Sequence, residues 1–295
     1  MHSLLLKLGV PDKATSRTPG TPGFVHTKSD CPTVAERKQV VDEEKTQELY
    51  MTAVATINYA ACWGRPDVTF KVNKLAKFMA NPGVKHWQEL DKLLAYLNRT
   101  KAWGILFGSR PNEFNTGLHG YTDSSHNDCP DTSKATVGYL HRFFNDVISW
   151  SSKLHTYVTT SVNHSEYGAL AKGTQRMTWL AALFTDLYKV LAPGHLFPPI
   201  KPVVVFTDNA GAISLAYGNV LHGSNQYVRN SYHYAKEAQK EGLVTFKWIS
   251  TNAQRANLLT KGLTPQLHDI EVVSYVSPPP VAGCPLPTTD LPDKV

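Results

Sequence analysis

The chain has 295 residues, 42% of them hydrophobic, and a formal net charge of +6, which allows a sizeable core in one large domain or two small ones and fits a polyanionic partner. No apolar run is long enough to span a bilayer, and the opening MHSLLLKLGV lacks the small-residue cleavage site of a signal peptide. The four cysteines, Cys31, Cys62, Cys129 and Cys284, form no C-x-x-C pair, which argues against zinc or a disulfide framework and makes an intracellular, non-secreted protein with reduced thiols the expectation.

Residues 1–44 are polar and rich in Pro, Gly, Ser and Thr, the composition of a linker or poorly packed tail. Residues 45–108 read as a helical segment. KTQELYMTAVATINYAACW has helical apolar spacing, Arg65-Pro66-Asp67 interrupts it, and Pro66 suits the first turn of the next helix. There Val72, Leu75 and Met79 form a stripe with Lys71, Lys74 and Lys77 beside it. The lysines are either a solvated face or a surface for duplex phosphates. Asn81-Pro82-Gly83 marks a turn. A helix with Trp87, Leu90, Leu94 and Leu97 inward follows, and WGILFG at 103–108 reads as a strand.

Residues 117–271 form a second domain. Strands are expected at about 118–123, 135–144 and 146–151, with Asn145-Asp146 as a hairpin turn. A helix starts near 164, and another covers 174–191. Val203 to Phe206 has no polar alternation and fits a central strand. Helices near 209–217 and 226–241, the strand LVTFKWIS and a last helix over 254–263 complete the domain. This order gives an α/β fold, a mixed sheet with helices on both faces. The Pro-rich 277–295 cannot bury enough apolar surface to fold alone and reads as disordered.

Three acids stand out. Asp123 ends an apolar-flanked run, Glu166 lies where strands give way to a helix, and Asp208 ends a third apolar run. Carboxylates on three separate elements suggest a site for a hard cation such as Mg²⁺. Singly, each has a plainer reading: Asp123 as a turn residue, Asp208 as a helix cap, Glu166 as a surface helix residue.

YTDSS, the GY…ISWSSK pair, SEYGAL, FTDNAGAI and ANLLTKGL follow the order and spacing of a known family. Over roughly residues 48–270 the chain resembles the connection and ribonuclease H domains of copia-type retrotransposon reverse transcriptases. The RPD and NPG-x-x-HW patterns resemble the connection region. No Tyr-x-Asp-Asp polymerase motif is present, so the chain resembles a C-terminal piece whose partner is the polymerase portion of a reverse transcriptase. The resemblance implies a ribonuclease H-like fold and a metal-dependent endonuclease for the RNA strand of RNA/DNA hybrids, using two Mg²⁺ (or Mn²⁺). It makes Asp123 the bridging ligand, with Glu166 and Asp208 holding the ion near the leaving oxygen. The family's fourth acid falls on Asn257, which brings no charge. NQYVR at 225–229 also stands where many members have Lys-His-Ile-Asp. Ser124, Thr160 and Asn209 are candidate hybrid contacts, and Lys71, Lys74 and Lys77 candidate phosphate contacts. Two outcomes stay open: an active ribonuclease H, or a weakened or inactive remnant that keeps the fold and binds nucleic acid.

Overall fold

The computed structural model describes residues 5–6, 8–33, 36, 46–108, 117–191, 200, 202–218 and 233–279. The Pro-rich stretch from 280, Cys284 and the NQYVR segment lie outside them. The chain divides into two units, one comprising 1–106, 128–133 and 261–291, the other chiefly 107–127 and 134–260.

The first unit is built on helices α1 (Gln47–Trp63), α2 (Thr69–Ala76), α3 (Val84–Arg99) and α7 (Pro265–Val272). Thr46 caps α1, its hydroxyl accepting from Leu49 N at 3.2 Å. Tyr50, Ala53, Val54, Ile57 and Ala61 are the buried stripe of α1, at the spacing of one helix face. Val72 and Leu75 of α2 and Trp87, Leu90, Leu94 and Leu97 of α3 are buried in the same core, as expected. The Arg-Pro-Asp break is itself a buried bidentate pair, with Arg65 Nε and Nη2 donating to Asp67 at 2.9 and 2.7 Å. Tyr96 donates to the same carboxylate at 2.8 Å, so both charges are satisfied without water.

Two expectations fail in this unit. The polar leader is packed where it is described: Leu5 is buried among the helices beside Leu8 and Val10. Asn98 Nδ2 lies within 3.3 Å of the carbonyl oxygens of Pro11, Asp12 and Ala14, and Thr21 N donates to Glu89 at 3.0 Å. Its Pro and Gly content obscured this, because the anchoring side chains belong to α3. WGILFG is not a strand; only Gly104 bridges, to Ser277.

The second unit holds β1 (Leu118–Cys129, whose last residues count with the first unit), β2 (Lys134–Phe143), β3 (Asp146–Leu154), α4 (Val162–Leu191), β4 (Val203–Thr207), α5 (Ala210–Tyr217), α6 (Tyr234–Lys240) and β5 (Val244–Trp248). Strand order is β3-β2-β1-β4-β5. β2 and β3 are antiparallel, and β4 runs parallel to β1 and β5. This is a ribonuclease H-like mixed sheet flanked by helices, with the first unit's α1–α3 preceding it in the chain. The hairpin turns at Phe144-Asn145, one residue earlier than expected, with φ of 48° and 74°; two positive values match the twist of the strands they join. Leu170, Met177, Val205 and Phe246 share the core.

The two helices expected between 164 and 191 are one helix of 30 residues. Gly173 does not break it: a side chain there would run into Thr122 of β1, so the glycine lets α4 lie close on the sheet. The helix expected over 254–263 is instead a pair of 3₁₀ turns, Thr251–Ala253 and Asn257–Leu259. Among the described residues no helix is long and apolar enough to cross a membrane.

Candidate metal centre

Asp123 lies within β1, a strand paired on both sides, and is 1% exposed. Asp208 is the first residue beyond β4. It is not the cap of α5: Asn209 takes that place, its Oδ1 accepting from Ala212 N at 2.8 Å, which leaves the Asp208 carboxylate for other work. Glu166 sits in the first turns of α4 and is 5% exposed. One oxygen from each of Asp123, Glu166 and Asp208 lies within 4.8 Å of the others. The three acids, 43 and 42 residues apart in sequence, therefore meet at one point.

The surrounding residues fix the elements that carry them. Thr260 donates its hydroxyl hydrogen to Asp123 Oδ2 and lies 3.2 Å from the Asn257 carbonyl oxygen. Gln254, fully buried, donates to the Thr122 carbonyl at 2.9 Å and accepts from Ala256 N at 3.1 Å, stapling the 251–259 turns to β1. Gly138 of β2 makes room for them; a Cβ there would lie 2.7 Å from Thr260 Cγ2 and 2.9 Å from Leu259 Cβ. Ser124 and Ser165, neighbours of two of the acids, are hydrogen-bonded to each other, tying β1 to α4. His155 Nε2 donates to the Ser165 carbonyl at 3.3 Å; burial, helped by the charge of Lys172, lowers its pKa to about 4. Trp248 Nε1 donates to the Asp208 carbonyl at 3.1 Å while the side chain stays 60% exposed, an aromatic surface beside the acid.

Three carboxylate oxygens with no imidazole or thiolate among them suit a hard divalent cation. Like charges this close repel, and a bound cation offsets the repulsion. Asn257 is buried in the 257–259 turn, where its Nδ2 donates to the Thr251 carbonyl at 3.0 Å. Its side chain brings no charge, and its backbone carbonyl lies 3.2 Å from the Thr260 hydroxyl that donates to Asp123.

The candidate nucleic-acid contacts divide. Thr160 is exposed, its hydroxyl 2.7 Å from His164 Nδ1. Asn209 is half-buried, with Oδ1 committed to the cap. Ser124 is corrected from surface contact to buried tie: it is 5% exposed and donates to the Thr136 carbonyl at 3.3 Å. Lys71 and Lys74 are corrected as well. Both are buried, in ion pairs with Glu89 and Asp128. Desolvation lowers both amine pKa values. Burial alone would raise the Glu89 carboxyl, but hydrogen bonds from Lys71 and Thr21 hold it at about 2. Lys77 is the exposed member of the three. Sequence reasoning missed Thr260, Gln254, Ser165 and Trp248. Thr260 stood inside ANLLTKGL, but nothing local says that its hydroxyl turns to an aspartate 137 residues away.

No family model matches the chain. The retrovirus-related Pol polyprotein from transposon TNT 1-94 of Nicotiana tabacum is 31% identical over 235 residues, 80% of this chain and 16% of that protein. The Pol polyprotein from transposon RE1 of Arabidopsis thaliana is 32% identical over 215 residues, 73% and 14%. The chain thus spans 14–16% of the length of these curated relatives. Similar solved structures include the N-terminal ribonuclease H domain of a Mycobacterium tuberculosis protein, at 15% identity and TM-score 0.32, covering 53% of this chain and 96% of that one. A foamy viral protease-reverse transcriptase in complex with RNA/DNA hybrid aligns at 14% identity and TM-score 0.40, covering 74% and 27%. With the acid motifs in order and identity spread over most of its length, the chain is homologous to one segment of the Pol polyproteins of copia-type retrotransposons.

Proposed function

We propose that this chain is a retrotransposon-derived ribonuclease H that hydrolyses the RNA strand of RNA/DNA hybrids with two Mg²⁺ or Mn²⁺ ions. The observation that carries the reading is the convergence of Asp123, Glu166 and Asp208. In the reaction a water oxygen bonds to phosphorus as the bond to the 3′-oxygen breaks, leaving a 3′-hydroxyl and a 5′-phosphate. The cations, when bound, supply Lewis acidity that activates the water and stabilises the leaving oxygen. Asp123, Glu166 and Asp208 would hold them. Thr260 keeps one Asp123 oxygen oriented. Asn257 takes the fourth place with a neutral side chain, so the water-activating side is held by less negative charge. Thr160, Asn209 and Lys77 are proposed to meet the hybrid, and the polymerase portion of a reverse transcriptase is the proposed protein partner.

A second reading, a remnant that binds nucleic acid without cutting it, is favoured by one observation: the Asn257 amide is engaged with Thr251 inside its own turn. A labelled RNA strand in a hybrid, incubated with Mg²⁺ or Mn²⁺, separates the two. Cleavage that Asp123→Asn abolishes supports the enzyme. Cleavage surviving in Asp123→Asn overturns the site, and tight hybrid binding without cleavage in either metal leaves the remnant.

A further inference from the structure

Away from the acids, the second unit has a cleft of about 500 Å³ between the outer strands and α4. Tyr139 of β2, Lys153 of β3, and Lys172, Arg176 and Trp179 of α4 line it. Lys172, Arg176 and Trp179 lie 6, 10 and 13 residues beyond Glu166. At helical rise and turn this is about 9–20 Å further along the axis and about 80–140° around it. A ligand seated there is separate from the acidic cluster.

The cleft gathers positive charge without an internal counter-charge. Among the described residues none of Lys153, Lys172 and Arg176 is in an ion pair. Burial, reinforced by the charge of Lys153, pushes the Lys172 amine below the ordinary lysine value. Such a cluster raises the energy of the empty protein and is relieved by an anion. Trp179, in the interior half of a long helix, is nevertheless 50% exposed, with the Arg176 guanidinium carbon 4.1 Å over its ring. Cations beside an exposed aromatic ring are the pairing that holds a phosphate and a stacked base together.

We propose that this cleft binds single-stranded nucleic acid, one phosphate among Lys153, Lys172 and Arg176 and one base against Trp179. An acidic peptide would satisfy the cations but has no use for an exposed tryptophan. A peptide added as a strand would need the free edge of β3, whereas this cleft opens between the sheet and α4. Stacking reads no sequence, so the site takes any unpaired strand, such as the one a reverse transcriptase leaves outside its duplex.

The test is fluorescence anisotropy of the full chain with a short labelled oligothymidylate, which offers phosphates and bases but no ribose bond to cleave. Trp179→Ala should weaken binding roughly ten-fold, the scale of one base stacked on an aromatic ring, and Trp179→Phe should keep most of the affinity. Lys153→Gln and Arg176→Gln should weaken binding and flatten its salt dependence. Asp123→Asn should bind normally, so failure here and failure of the ribonuclease reading are distinguishable. An oligonucleotide that does not bind, or binds equally to every cleft variant, overturns the proposal. So does a polyglutamate peptide that binds more tightly than the oligonucleotide and ignores Trp179→Ala.

Discussion

Replacing Asp208 with asparagine removes one charge from the cluster at nearly constant shape. At 4.8 Å, the outer limit of the oxygen separations, each pair of carboxylates repels by about 3.5 kcal/mol at an effective dielectric near 20. Asp208→Asn abolishes two of the three pairs, about 7 kcal/mol at that separation before solvent relief. Asp208 is half-buried, and water reaches part of its charge. A net gain of about 2 kcal/mol is therefore expected, or about 4–8 °C in Tm for a unit of this size. The gain should appear only in chelator. Titrating Mg²⁺ or Mn²⁺ should stabilise the parent by about 2.7 kcal/mol at a hundred times Kd and the variant far less, so the two melting curves cross. The assay is thermal unfolding of both proteins across a metal series, with calorimetric titration of the metal. A variant no more stable than its parent in chelator, with metal raising both Tm values equally, would refute the reasoning.

Asn257→Asp should raise hybrid cleavage about ten-fold or more at limiting metal, a little over 1 kcal/mol of barrier. It should also cost about 1–2 kcal/mol of stability in chelator, since a carboxylate oxygen then faces the Thr251 carbonyl now bonded at 3.0 Å. A parent already fully active at low Mg²⁺, with no gain from the substitution, would show the position is no lesion. Gly173→Ala is a test of sign: helix propensity favours alanine by about 1 kcal/mol, whereas contact with Thr122 should cost about 1–3 kcal/mol, so a lower urea midpoint is expected. Lys71→Met removes the buried one of the two lysines paired with Glu89, leaving Lys92 at 3.2 Å and Thr21 on the carboxylate, and should cost about 2 kcal/mol. Lys77→Gln should leave stability unchanged and lower the salt slope of duplex binding by about 1. His141, buried with Nε2 donating to Gly173 at 3.0 Å, has its pKa lowered to about 3 by desolvation. Below its unfolded value only the unfolded chain takes up the proton, so stability is full above about pH 6.5 and declines towards pH 3, at about 1.4 kcal/mol per unit. His141→Gln should flatten that slope in Tm measured from pH 7 to 4.5, and an unchanged slope would exclude His141 as its source.

The acids were legible in the sequence because each sits beside a local change in apolar pattern: the run before Asp123, the Val203–Phe206 run before Asp208, the strand-to-helix change near Glu166; that β1 continues past Asp123 to Cys129 was not legible. The α/β class with its mixed sheet, and the inward faces of α1 and α3, follow from the same periodicities and element order; the strand order β3-β2-β1-β4-β5 does not. Pairing was not legible. Helical spacing put Lys71 and Lys74 beside an apolar stripe, but whether they meet water or a carboxylate depended on Glu89 and Asp128, 18 and 54 residues away. The leader's packing waited on Asn98, more than 80 residues along the chain. The 254–263 segment has helix-compatible residues, yet it folds as 3₁₀ turns stapled to β1 through Gln254 and Thr260. Local sequence determines what a segment does with its own neighbours, since propensity and periodicity act within a few residues. A buried charge or hydroxyl takes whichever partner the tertiary fold brings within about 3 Å, and composition carries no record of that choice.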